Sequence, residues 1–194
     1  MEAAMDEKIG GDQPEEAERI WTAHHEAAHA VATLRLRGED HLEDATIVPA
    51  GTLLGVVRTE DPRDYALMLD ESTGYSIPNE KEIDAAIVGK LAGCFGGIRA
   101  GEPSEQATMG SGTDLDAAEE LLAYTTTELH TLRSRAQQFV ENQWGAIEVV
   151  ATELLEHETL DPTEISFAVD IADGKERARE NLARYRVNRD CALR

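Results

Sequence analysis

The sequence predicts a mainly α fold carrying one small β hairpin or edge-strand element. Three observations lead there. Apolar residues recur at helical spacing between a start signal at Pro14 and a stop at Gly38. A second helical run, over 80–99, is apolar and rich in glycine. Between them lie two short runs of β-formers, Ala45–Pro49 and Leu53–Arg58, joined through Pro49-Ala50-Gly51.

Residues 1–13 read as a loose polar tail. Gln13-Pro14-Glu15-Glu16 opens the first helix, because proline suits the first turn and acids there complement the dipole. The helix is expected over roughly 15–37, with Arg35 and Arg37 in its last turn. Ile20, Ala27, Val31 and Leu34 form its apolar stripe, while His25 and His29 share another face with Thr22 and Leu36. Ala23, Ala27, Ala28, Ala30 and Ala32 keep it slim, so other elements can close around it.

Thr59–Asn79 is polar and irregular, with Pro62, Gly74 and Pro78 as breakers. In the helix over Glu80–Arg99, Ile83, Ile87, Leu91 and Phe95 share a face, and Gly89, Gly93, Gly96 and Gly97 imply close packing. Gly101–Thr113 reads as a loop, and Asp114 as the opening of another helix. Helices continue to about His157, with a break expected near Leu132–Ser134. Asp161-Pro162 starts a short helix, and 175–186 alternates Arg and Glu as a solvated one.

The 194 residues fit one domain over 14–170 with a helical extension over 171–194, and 41% hydrophobic content supports a core. A net charge of −21 disfavours nucleic acid and anionic membranes as partners. Two cysteines, Cys94 and Cys191, make no disulfide framework, and Cys94 is expected in the core. No run approaches the ~18–20 apolar residues of a membrane span, and the acidic start does not read as a signal peptide. The expectation is a cytoplasmic chain. The G-x-x-x-x-G-K-[ST] nucleotide loop does not occur.

The chemistry lies in His25-Glu26-Ala27-Ala28-His29. Histidines four apart on a helix stack on one face and can grip one metal ion. The intervening Glu can reach a water on the metal's open position and take its proton. This is the zincin pattern, and it makes zinc the expected cofactor and Glu26 the expected general base. The H-x-x-G-x-x-H continuation is excluded by Ala32 and Arg35. A third ligand must come from elsewhere, and many carboxylates, with His41, His130 and His157, remain open by spacing alone.

Several ordered segments resemble the peptidase domain of FtsH-type zinc metalloproteases. His25-Glu26-Ala27-Ala28-His29-Ala30-Val31 resembles that family's HEAGHA segment, with Ala28 for glycine. Thr46–Gly55 is similar to its strand region, and Phe95-Gly96-Gly97 to the LGG of its central helix. Gly110–Ala118 resembles its G-A-x-N-D-L segment, and Leu154–Ile165 its closing A-L-L-x-x-E-T-L-D. Departures are Ala50 for the Arg after the strand's proline and Gly101 for one acid after LGG.

The resemblance implies that Asp114 is the third zinc ligand beside His25 and His29. It implies a zinc metalloendopeptidase acting on unfolded or flexible polypeptide, with the Leu53–Arg58 strand as the edge on which substrate lies. It further implies a hexameric ring, formed by this chain alone or on a separate ATPase partner; the family's ATPase module and membrane anchor are not recognised in the sequence. The alternative is a zinc-binding adaptor without turnover; the intact Glu26 argues against it. A third reading is a peptidase of short peptides with no unfoldase.

Overall fold

The computed structural model describes residues 13–69 and 76–192. The expected tail falls outside these residues except for Gln13, and so does the breaker Gly74. The fold is mainly helical with a small antiparallel sheet, as the sequence predicts. The first helix, α1, spans Gln13–Leu36, and Gly38 ends it at a φ of 115° that glycine adopts without strain. Strands β1 (Leu42–Thr46) and β2 (Val56–Thr59) pair antiparallel, with a bulge between Leu42 and Asp44.

The expected strand limits shift for a backbone reason. Proline at 49 cannot donate to a ladder, and the Ile47 amide already donates to the Glu158 carbonyl at 2.9 Å. The chain therefore leaves the sheet after Thr46, turns through an Ala50–Leu53 bridge and returns only at Val56. The sequence reading misses β5 (Thr159–Leu160), which completes the order β2-β1-β5 and leaves β2 at the edge. The Thr46 and Thr159 hydroxyls bond across that pair at 2.7 Å.

The irregular 59–79 stretch holds more order than expected. Asp61 caps a 3-10 turn over Pro62–Tyr65, and β3 (Leu67–Leu69) pairs with β4 (Ser76–Pro78). Helix α2 (Glu80–Arg99) buries Ile83, Ile87 and Leu91, the face its spacing predicts. Cys94 is buried with it.

The expected 101–113 loop is instead a short helix, α3 (Ser104–Gly110), followed at once by α4 (Gly112–Leu121). Pro103, Gly110 and Gly112 mark the ends of these helices rather than breaking them. Asp114 lies in the first turn of α4. The expected break at Leu132–Ser134 is also corrected. Helix α5 (Leu129–Asn142) runs straight through it, with Leu132, Ala136 and Val140 buried as one stripe. The helical run is interrupted instead at Thr125–Thr127, where the Thr125 and Thr127 hydroxyls donate to Asp84 and the Thr127 amide donates to the Thr125 hydroxyl, and at Gln143.

Helix α6 spans Trp144–His157. Helix α7 (Pro162–Ala172) starts at Asp161 as expected, with a full capping box to Glu164. Helix α8 starts at Ala178, later than the charge pattern predicts, and runs to Ala192. Only part of it is solvated: Ala178 and Leu182 are buried, and Arg186 and Arg189 pair with the buried Glu164 at 2.7 and 2.6 Å.

Two apolar cores flank the α1–α2 contact. Ala27 and Val31 of α1 pack with Ala45, Ile147, Val150, Leu154 and Ile165. Ile83, Ile87 and Leu91 of α2 pack with Ala118, Leu121, Leu132 and Ala136. At the crossing, a Cβ on Gly96 would sit 2.7 Å from both Ala28 Cβ and the His24 carbonyl oxygen.

A backbone carbonyl cannot give way as a flexible side chain does. The steric cost of Gly96→Ala, about 1–3 kcal/mol for overpacking, should outweigh the ~1 kcal/mol that alanine gains in helix propensity. Urea denaturation should show the variant less stable by up to about 2 kcal/mol. A variant as stable as the parent would mean that the helices are not in contact at this point.

Candidate metal centre

Thr22, His25, Glu26, His29 and Thr33 recur at three- and four-residue steps and line one wall of a cleft of about 330 Å³. Leu36, expected on the same face, is 37% exposed and outside it. The facing walls come from Leu53–Val57, from Gly89 and Lys90 of α2, and from Thr113 and Asp114 of α4.

Three donor atoms converge there. His29 Nε2 is 3.0 Å from His25 Nε2 and 3.2 Å from Asp114 Oδ2, and His25 Nε2 is 3.4 Å from that same oxygen. A tetrahedral ion bound at ~2.0–2.1 Å separates its ligands by about 3.4 Å. The triangle is therefore the right size for His25, His29 and Asp114 to hold one ion.

The rings are oriented for it. His29 Nδ1 lies 2.7 Å from the Gly89 carbonyl, which can only accept, so Nδ1 keeps a proton and Nε2 is the nitrogen left facing the other donors. Close passage of α2 makes this bond. A Cβ on Gly93 would fall 2.3 Å from His29 Nε2 and 2.6 Å from His25 Nε2, inside the space the donors share.

His24 is the third histidine of the run within 24–29, yet it turns away. Its Nδ1 donates to the Ile20 carbonyl at 2.8 Å, and its ring stacks on Trp144. The other histidines left open by the sequence are engaged elsewhere. His41 lies edge-on to Tyr65, His130 beside Glu128, and His157 beside Arg186. Glu153, Glu156 and His157 also approach one another, but the Arg186 guanidinium occupies that cluster, 2.8 Å from Glu153 and from His157.

Glu26 is 6% exposed. The chain before β2 lies directly over it: a Cβ on Gly55 would meet Glu26 Cγ at 2.7 Å and Oε1 at 2.8 Å. Burial pushes its pKa up to about 7; the His25 charge opposes this and the Asp114 carboxylate adds to it. A carboxyl poised near neutrality can accept a proton and return it. For Asp114, burial alone would raise the pKa, but the charge of His29 and hydrogen bonds from both histidines hold it well below the usual carboxylate range.

Sequence reasoning misses Lys90, whose Nζ is 3.6 Å from Asp114 Oδ1, and Glu102, which lines the cleft with its pKa raised by burial. The available signal for Lys90 was its place beside Gly89 in a helix otherwise apolar around it.

No protein-family model matches the chain. It is similar to curated proteins named ATP-dependent zinc metalloprotease FtsH. Identity is 34% with that of Magnetococcus marinus over 107 residues, covering 55% of this chain and 14% of the relative. With that of Caulobacter vibrioides it is 33% over 109 residues, covering 55% and 15%. With FtsH 1 of Symbiobacterium thermophilum it is 26% over 179 residues, covering 82% and 30%. The chain thus spans at most 30% of the length of these three relatives. It is related in part to FtsH proteins. No helix among the described residues is long and apolar enough to cross a membrane.

Gly93→Ala should abolish zinc uptake by filling the space between the donors, although it removes no donor atom. Metal analysis of the purified variant, with circular dichroism to establish that its helices persist, provides the check. Full zinc content would show that the donors do not close on an ion where α2 passes them.

Proposed function

We propose that this chain is a zinc metalloendopeptidase that cleaves unfolded or flexible polypeptide. The observation that carries the reading is the convergence of His25, His29 and Asp114 donor atoms beside buried Glu26 in an open cleft. Partial similarity to proteins named zinc metalloproteases supports it.

A zinc ion held by His25, His29 and Asp114 would supply a Lewis acid that polarises the scissile carbonyl and lowers the pKa of water toward ~7. Glu26 takes the proton of the attacking water. It then passes that proton to the departing nitrogen as the C–N bond breaks. Its burial keeps bulk water from competing for the carboxyl. Strand β2, at the sheet edge along the cleft, offers unpaired backbone groups to an extended chain by strand addition. That requirement restricts substrates to segments already unfolded. A hexameric ring and a separate ATPase partner belong to the same proposal, carried over from the resemblance.

Purified protein should carry about one zinc per chain. His25→Ala and His29→Ala should lose it, and Asp114→Ala should bind it far more weakly. Full zinc in Asp114→Ala by elemental analysis would move the third ligand elsewhere. Glu26→Gln preserves size and removes basicity, so zinc should stay while peptide hydrolysis falls by roughly 10²–10⁴-fold. Equal inertness of parent and variant on a broad panel of unfolded substrates would favour a binding module over an enzyme.

Since the sequence has no phosphate-binding loop, ATP should not stimulate this chain in isolation. Casein-like unfolded proteins should be cleaved and a stable folded domain spared. Cleavage should cease with a chelator and decline at acid pH as protonation displaces the ion from its histidines. ATP-driven destruction of a folded protein by this chain alone would contradict the reading.

A further inference from the structure

The two oxygens of Asp114 face different neighbours. Oδ2 turns to the histidines, at 3.2 and 3.4 Å, while Oδ1 turns to Lys90 Nζ at 3.6 Å. Lys90 directly follows Gly89, whose carbonyl fixes the His29 ring. One turn of α2 thereby backs two of the three donors from outside. Among the described residues, the other Lys or Arg lining the cleft is Arg37, which is committed to Glu82 at 2.5 Å and to the Glu60 carbonyl. Among the described residues, Lys90 forms an ion pair with Asp114 alone.

We propose that Lys90 is a positioning residue that keeps Asp114 a one-oxygen ligand, so that the fourth position on the ion stays open. This rests on the zinc reading above. A carboxylate with both oxygens free can chelate a cation through the pair. Here the second oxygen would add a ligand, raising the coordination number and crowding the position that water and substrate need. The ammonium on Oδ1 makes that second bond compete with an ion pair. Outer partners of this kind orient ligands and are commonly worth 10–100-fold in metal affinity or activity.

The test uses cobalt(II) in place of zinc in the full chain, because its visible absorption reports coordination number without any turnover. Lys90→Met keeps the aliphatic stem and removes the charge; Lys90→Gln serves if that variant does not fold. At equal cobalt content, the neutral variant should absorb several-fold more weakly than the parent, as five- or six-coordinate cobalt does. Lys90→Arg should restore the parental band. With zinc loaded, the neutral variant should lose about 10-fold or more in kcat with little change in KM. An unchanged cobalt band in the neutral variant would overturn the proposal while leaving the zinc site intact. A parent chain that takes up neither zinc nor cobalt would instead overturn the zinc reading, and this inference with it.

Discussion

Helix α2 passes α1 so closely that nothing larger than glycine fits at Gly93 and Gly96, and the donor cluster depends on that approach. Ala28 meets Gly96, the histidine ring nitrogens meet Gly93, and the His29 ring takes its orientation from the Gly89 carbonyl. The missing side chains at Gly96 and Gly93 therefore seat the helices and leave room between the donors, while the backbone carbonyl of residue 89 orients one of them. The apolar cores on either side press the pair together, because each helix has its own buried face turned away from the contact. Dispersion and burial supply the force, and missing side chains supply the geometry.

The same approach concentrates charge. Two histidines, two carboxylates and a lysine meet in one cleft, with Glu26 and His29 buried in its wall. Burial raises Glu26 toward neutrality, while the histidines hold Asp114 ionised. Gathering like and unlike charges in a poorly solvated place costs free energy unless something binds them together. A divalent cation among the donors would relieve that cost.

Much of the candidate site was legible because helical periodicity alone puts His25 and His29 together and Glu26 beside them. Asp114 was not legible from spacing. It comes 89 residues after His25, and only the packing of α4 on α2, which brings its side chain to the α1 histidines, makes it differ from any acid at a helix start. The same limit hid Lys90, an ordinary surface lysine until α4 brings Asp114 over it. Among the elements, the long helices with caps and stripes were readable. The misses were short pieces whose partners are remote: β5 exists because Thr46 finds Thr159, and α3 because Pro103 and Gly110 bound a turn that looked like loop. The false break at Leu132–Ser134 fell where burial of Leu132 and Ala136 holds a helix that local composition leaves undecided.

The pairing of β1 with β5 has a kinetic consequence. Ala45 lies opposite Leu160, and α1 is covered by residues of α6 and α7 that lie far along the chain. Contacts this distant are slow to close, because loop entropy must be lost before they return anything. A nascent chain exposes its two helical histidines before the residues that complete the centre. It lacks the third donor until α4 is made, and the strand that holds β1 in place until Leu160 has emerged. Topology thus delays assembly of the centre until the residues through Leu160 exist, so a chain halted before α4 has the motif without its geometry.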